Sequence, residues 1–158
     1  IEQLVSFARQ IATLVEFEAE KSAKQLKIDL NAYIRDNEEI EAEQITGIPV
    51  KSVSDAEVAA DKLLEKGASA AVITLGEQGA LFKDSKQIIH QPSFQVGPIV
   101  ETTGAGDAFN GGLAVALAEE MPIDKALRFA CATASISVTR PGTAPSMPDR
   151  NEIDTLLT

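Results

Sequence analysis

Apolar residues recur every three or four positions through the first part of the chain. This spacing is typical of an amphipathic α-helix, because residues at i, i+3, i+4 and i+7 share one face. It predicts one long helix to about Leu26 and a second helix from a cap at Asp29 toward Thr46. The apolar face is wider than a coiled-coil seam. We therefore expect this segment to pack on a broad surface, either the rest of the chain or a second copy of itself.

Shorter patterns follow from residue 47. Gly47 is a helix-ending residue. Ser54, with Glu57 three residues later, predicts the capping box of a helix that Gly67 ends. The apolar, β-rich run over residues 70–75 predicts a central strand of a parallel sheet.

The remaining pattern alternates between strand and helix. This alternation predicts an α/β layered fold. The predicted elements are a hairpin over residues 80–91 around Asp84-Ser85, a strand or extended leg beginning at residues 94–96, a helix over residues 105–119, a helix or pair of helices over residues 123–140, and a last helix over residues 152–157 capped by Asp149 or Asn151.

Glycine and proline are unevenly distributed. Residues 1–46 contain neither, although the chain has 10 Gly and 7 Pro. Because these residues punctuate turns, the break divides the chain into a helical segment, 1–44, and an α/β body, 45–158.

Composition narrows the function classes. The net charge of −10 argues against a nucleic-acid partner. No apolar run approaches the ~20 residues of a membrane span, so no membrane partner is expected. The sequence shows no secretory signal, and its single Cys131 cannot form an internal disulfide, which favours a cytoplasmic location. His90 is the only histidine, which excludes a Cys/His zinc site.

The glycine-rich run over residues 104–107 carries the strongest chemical signal. A glycine loop that opens a helix presents unpaired N–H groups and the positive end of the helix dipole, which together favour an anion such as phosphate. Its Gly-x-Gly-Asp spacing differs from both the Walker loop and the dinucleotide fingerprint. Asp107 could be the N-cap of the helix or a general base beside a bound phosphate.

Gly76 and Gly79 form a second glycine pair, directly after the predicted strand at residues 70–75. Ligands of open α/β sheets bind beyond the carboxyl ends of strands, so the pair is a candidate pocket wall. On residue types alone, a tight turn into the hairpin is the favoured interpretation.

Three motifs in order resemble one known family. TTGAGDAFNGG, residues 102–112, closely resembles the second signature of the ribokinase-like (phosphofructokinase-B-type) carbohydrate kinases. VITLGEQGA at residues 72–80 and ASISVTRPGTAPSMP at residues 134–148 extend the match on both sides, so the resemblance covers about residues 45–157. It implies the C-terminal half of a layered ribokinase-like fold, and ATP-dependent phosphoryl transfer to a sugar hydroxymethyl group.

The resemblance also implies roles for particular residues. The amides of Gly104, Ala105 and Gly106 would form an anion hole for the transferred phosphoryl group, and Asp107 would be the catalytic base. Mg²⁺ would bridge the ATP phosphates through water and substrate oxygens. The implied nucleotide-binding residues are Thr74, Leu75, Gly76, Glu77, Gln78, Gly79, Gly106, Asp107 and Cys131. The implied ligands of a potassium ion, several through backbone carbonyls, are Glu101, Thr103, Ser137, Arg140, Gly142 and Ser146.

Several of these positions have structural alternatives. Cys131 could be a small buried hydrophobe. Arg140 and Ser146 could simply pack the loop near two prolines. The family usually has Asp where Glu101 stands, which makes potassium dependence an open question.

Residues 1–44 depart from the family. Its sugar-binding residues and β-sheet lid lie mainly in an N-terminal half that we expect this chain to lack. The acidic run over residues 36–43 resembles a family motif out of register, so we hypothesise that the helical segment is foreign or engineered. Two functions follow: a nucleotide-binding catalytic half that needs the missing half to hold its sugar, or a non-catalytic scaffold that dimerises through its N-terminal helices.

Overall fold

The computed structural model describes residues 42–43 and 45–158. Nearly all of the two predicted N-terminal helices, and the segment hypothesised to be foreign, lie outside these residues. Residues 45–46 are helical. Gly47 then adopts φ +75°, and its N–H donates to the Glu43 carbonyl at 2.6 Å. A left-handed glycine at this place confirms the predicted helix end.

The body that follows contains both helices and strands. In chain order they are α1 (Val53–Glu65), β1 (Ala70–Thr74), β2 (Ala80–Asp84), β3 (Ile88–Gln91), α2 (Ala105–Ala118), α3 (Ile123–Ser137) and α4 (Arg150–Leu157), with 3₁₀ turns at Gly76–Gln78 and Ala144–Ser146. Of the two alternatives predicted at residues 94–96, the strand is wrong, because the Phe94 N–H donates to the Ser135 hydroxyl at 3.0 Å and not to a strand.

Helix α1 begins two residues earlier than predicted. Its N-cap is Ser52, and the Ser52 hydroxyl accepts the Asp55 N–H at 3.2 Å. The Asp55 carboxylate in turn accepts the Lys51 N–H at 3.1 Å and the Ser52 hydroxyl at 2.8 Å. The predicted cap at Ser54 is therefore wrong: Ser52 caps the Asp55 N–H in the first turn, and the Asp55 carboxylate reaches back to the Lys51 N–H that precedes the cap.

The described strands form a three-stranded sheet in the order β1-β2-β3, antiparallel throughout. The predicted hairpin is confirmed, and its turn is held by Asp84, whose Oδ1 accepts the N–H groups of Lys86 and Gln87. The prediction of a parallel central strand is not met within these residues, since β1 pairs antiparallel with β2. The connection from β1 to β2, residues 75–79, is too short for the crossover that a parallel pair needs.

The sheet lies between two helical layers. Leu81 of β2 faces the cluster formed with α1, whereas Phe82 faces the cluster formed with α2, α3 and α4. This alternation is the two-residue period of a strand buried on both faces.

Asp149 is the N-cap of helix α4 and forms a complete capping box, which confirms that predicted cap.

Helices α2 and α3 pack closely. A Cβ at Gly112 would lie 2.7 Å from Thr133 Oγ1 and 3.1 Å from the Ala130 Cα. Only a glycine permits this approach. Across the part of the chain described, no helix is long and apolar enough to cross a membrane.

Candidate functional site

The predicted anion loop lies at the start of α2. Gly104 is the N-cap and has φ +85°, a left-handed conformation that favours glycine. A Cβ at Gly104 would lie 3.1 Å from the Thr143 side chain. The loop is therefore closely backed by the segment that follows α3.

The backbone amides of this loop divide into two groups. The Ala105 N–H, predicted to belong to the anion hole, donates to the Thr102 carbonyl at 3.1 Å. Among residues 42–43 and 45–158, no acceptor bonds the N–H of Gly104, of Gly106 or of Asp107. The neighbouring Gly106 and Asp107 donors lie in the first turn of a 14-residue helix, at its positive end, and the Gly104 donor lies at the N-cap; this is a favourable arrangement for an anion.

Asp107 is the third residue of α2, and Gly104 is the N-cap. Its exposed carboxylate forms no hydrogen bond with any residue that the structure describes. The N-cap interpretation of Asp107 is therefore wrong. The carboxylate is available to a ligand that binds at the loop.

The second candidate element, residues 74–79, forms a 3₁₀ turn after β1. Thr74 and Leu75 are buried, whereas Gly76, Glu77 and Gln78 are exposed. A Cβ at Gly79 would lie 2.0 Å from the Gln91 carbonyl oxygen, so this glycine is required by packing within the protein. The exposed edge of the turn is the part that a ligand could touch.

Cys131 lies on α3 beneath the end of β3. It is 3% exposed, and its Sγ is 3.7 Å from the Gln91 carbonyl oxygen. Burial raises the pKa of the thiol to about 12. A neutral, buried thiol matches the interpretation of Cys131 as a small hydrophobe.

Helix α3 connects the two candidate regions. The segment over residues 91–101 follows the helix, from Gln91 beside Cys131 to Glu101, whose N–H donates to the Val138 carbonyl at 3.2 Å. Cys131 and Val138 are seven residues apart, or about 10 Å along a helix axis. The turn at residues 76–79 therefore lies beside the middle of this helix, and the anion loop lies near its C-terminal end.

The residues predicted to bind a cation gather after α3. Glu101 Oε2 accepts the Gly142 N–H at 2.7 Å. The hydroxyls of Ser137 and Ser146 donate to nearby backbone carbonyls, and Thr103 is exposed. Since the serine protons are already donated, ligands here would be the remaining Glu101 oxygen and lone pairs of hydroxyl and carbonyl oxygens. Such oxygens suit a hard cation.

Arg140 does not contribute its side chain to that donor set. Its guanidinium forms a two-point ion pair with Glu152 of α4. The guanidinium first, and the Asp149 N–H second, hold the pKa of Glu152 below its usual value. Only the Arg140 carbonyl remains as a candidate ligand, which favours the loop-packing interpretation of its side chain.

Comparison with known proteins assigns this chain to a family. Residues 19–150 match the family described as pfkB family carbohydrate kinase. The chain belongs to this family. The match begins inside the 1–44 segment, although most of that segment lies outside the described residues.

Individual members of the pfkB family agree with this assignment. The ribokinase of Haemophilus influenzae is 42% identical over 116 residues, which are 72% of this chain and 37% of that protein. The structure of Arabidopsis thaliana ribokinase complexed with ribose and ATP matches with a TM-score of 0.72 at 35% identity, covering 75% of this chain and 38% of that chain. Escherichia coli phosphofructokinase-2 in complex with potassium matches with a TM-score of 0.65 at 26% identity, covering 74% and 37%. The chain thus spans less than two fifths of each of these proteins.

Three side chains that support this candidate site were not predicted. The Ser93 hydroxyl donates to the Glu77 carbonyl at 2.5 Å, and His90 Nε2 lies 2.7 Å from the Gln78 carbonyl, so both hold the 76–79 turn. Thr143 backs Gly104. Only Thr143 had a local signal, its place between Pro141 and Pro145, because the other contacts join distant parts of the chain.

Proposed function

We propose that this chain is the nucleotide-binding, catalytic portion of an ATP-dependent sugar kinase. It would transfer the γ-phosphoryl group of ATP to a sugar hydroxymethyl group. The observation that carries the proposal is the pair of unpartnered N–H groups, at Gly106 and Asp107, beside a carboxylate with no described partner. Membership of the pfkB family, and a relative whose structure holds ribose and ATP, support the same reaction.

The two amides would donate to oxygens of the transferred phosphoryl group. Charge builds on those oxygens in the transition state, and removing one such donor typically costs about 10²–10³ in rate. The Asp107 carboxylate would accept the proton of the attacking hydroxyl, a step worth about 10²–10⁴ in other enzymes. Both groups belong to the first turn of α2, so one helix would position donor and base together.

Metal ions would be held largely by the substrate. Among the residues described, no three His, Cys, Asp or Glu side chains cluster as a metal-binding group. Magnesium would take its ligands mainly from ATP phosphates and water, as it commonly does in kinases, and would neutralise phosphate charge. Potassium, if required, would lie near Glu101 and the carbonyls of the segment over residues 137–146.

The nucleotide would lie along α3. Its base would approach the exposed edge of residues 76–79, and its terminal phosphate would reach the anion loop. The sugar would be held largely by residues outside the matched portion, since the chain spans only 37% of the H. influenzae ribokinase. The proposal therefore separates nucleotide binding, expected of this chain, from sugar turnover.

Calorimetric titration with ATP and magnesium tests the first part, and ATP-dependent phosphorylation of ribose tests the second. Asp107→Asn should leave ATP affinity within about threefold while lowering any turnover by at least about 10². Asp124→Asn is the matched control, because Asp124 is an exposed acid in the first turn of α3.

The outcomes separate the candidate functions. Binding of ATP without turnover would define a nucleotide-binding module. No binding at millimolar ATP would support the non-catalytic scaffold. Unchanged turnover in Asp107→Asn would remove Asp107 from its role as base.

A further inference from the structure

The stretch leading to the anion loop is fastened to the chain after α3. The Val138 carbonyl accepts the N–H groups of Val100 at 2.8 Å and of Glu101 at 3.2 Å. The Glu101 side chain adds the third link, by accepting the Gly142 N–H at 2.7 Å. This last contact joins residues 41 positions apart, so it fixes the relation between two loops that local sequence does not connect.

The Gly142 end of this link leads back to the anion loop. Gly142 has φ +85°, and the peptide that it begins places Thr143 directly against Gly104. Gly104 is the N-cap of α2. A continuous series of contacts therefore runs from the Glu101 carboxylate through Gly142 and Thr143 to the first residue of the loop.

We propose that Glu101 is a positioning residue for the phosphate site. Its carboxylate holds the Gly142 peptide, keeps Thr143 packed on Gly104, and so fixes the direction in which the Gly106 and Asp107 N–H groups point. This inference rests on the proposed function, because that function supplies the phosphate that the loop would hold. The role needs an acceptor oxygen of the right reach, and it does not need a negative charge.

Two substitutions separate reach from charge. Glu101→Gln keeps the acceptor oxygen and the chain length but removes the charge. Glu101→Asp keeps the charge and shortens the side chain by one methylene, so the link to Gly142 is lost. A positioning role predicts that the Gln variant binds ATP within about threefold of the wild type and that the Asp variant binds about tenfold more weakly, the usual effect of losing such a bond. Glu65→Gln, in the last turn of α1, is the matched control for charge removal.

The ATP titrations are run in potassium and in sodium buffers. If Glu101 serves only as a potassium ligand, the order reverses: the Asp variant retains affinity, and the Gln variant loses it in potassium alone. That result would overturn the positioning role. Equal affinity of all three proteins in both buffers would overturn it as well.

Amide hydrogen exchange at Gly142 supplies a readout that needs no nucleotide. A hydrogen-bonded Gly142 N–H should exchange slowly in the wild type and in Glu101→Gln, and about tenfold faster in Glu101→Asp. If this order holds while the wild type binds no ATP, the proposed function fails and the link between the two loops stands. If Gly142 exchanges equally in all three proteins, the link itself is refuted, whatever the ATP affinities are.

Discussion

The two adjacent glycines of α2 allow a sharp test of how the anion loop is supported. Gly111 is exposed, and a Cβ there would have no atom within 4 Å. Gly112 is buried against α3, and a Cβ there would lie 2.7 Å from Thr133 Oγ1, 3.0 Å from Thr133 Cβ and 3.1 Å from the Ala130 Cα. The same substitution to alanine therefore meets open space at one position and a packed helix at the next.

The expected free energies follow from two terms. Alanine is favoured over glycine inside a helix by about 1 kcal/mol, and both variants gain this term. Overpacking at Gly112 costs about 1–3 kcal/mol, since one of the atoms in the way belongs to backbone and Thr133 Oγ1 is held by its bond to the Phe129 carbonyl. Gly111→Ala should therefore stabilise the protein, and Gly112→Ala should be about 1–3 kcal/mol less stable than Gly111→Ala.

Urea unfolding followed by circular dichroism measures both variants, and the comparison cancels the helix-propensity term. In thermal unfolding each 1 kcal/mol corresponds to about 2–4 °C for a domain of about this size. ATP titration adds a functional readout, because a shift of α2 would move the loop at its start. Equal stability of the two variants, within about 0.5 kcal/mol, would refute the close approach of α2 and α3.

Two further predictions concern stability. Burial raises the pKa of Cys131 from 9.0 to about 12, so the unfolded chain releases the thiol proton at a lower pH than the folded protein. The free energy of unfolding should therefore fall as pH rises from about 9 toward 12. Cys131→Ser should reduce this fall, and a fall of equal size in the variant would contradict the buried thiol. Asp149→Ala should cost about 1 kcal/mol in urea unfolding, because it removes the side-chain oxygen that accepts the Glu152 N–H. Asp149→Asn keeps such an oxygen and should keep most of the stability, and equal losses in the two variants would contradict the cap.

Local sequence signals were sufficient to predict much of the fold. Gly47, Asp84 and Asp149 each act on amides or carbonyls within a few residues of themselves. The start of α1 was harder to predict, because the sequence offers two equivalent caps two residues apart, Ser52-x-x-Asp55 and Ser54-x-x-Glu57. The choice between them depends on where the buried alanine face of α1 meets the sheet, which the local sequence does not specify.

Sequence reasoning about the candidate site could use only the signals that neighbouring residues carry. The glycine spacing at residues 104–107 pointed to free amides, and the Gly106 and Asp107 N–H groups have no partner among the described residues. The same reasoning could not predict that the Ala105 N–H donates to the Thr102 carbonyl. It also could not predict that the Gln91 carbonyl leaves no room for a side chain at Gly79. Gln91 is 12 residues away, in a strand whose register the sequence does not specify.

The site's architecture explains why distant contacts matter here. An anion hole gains its strength from donors that are already oriented, so the energy that orients them must come from elsewhere in the fold. In the proposed site α3 would supply this energy through two contacts: Thr133 and Ala130 pack against Gly112 of α2, and the Val138 carbonyl accepts the Val100 and Glu101 N–H groups before the loop. A change in either contact should therefore weaken phosphate binding without touching the amides themselves. The two sets of variants, at Gly112 and at Glu101, perturb these supports separately, and additive losses in ATP affinity would mean that each acts independently on the loop.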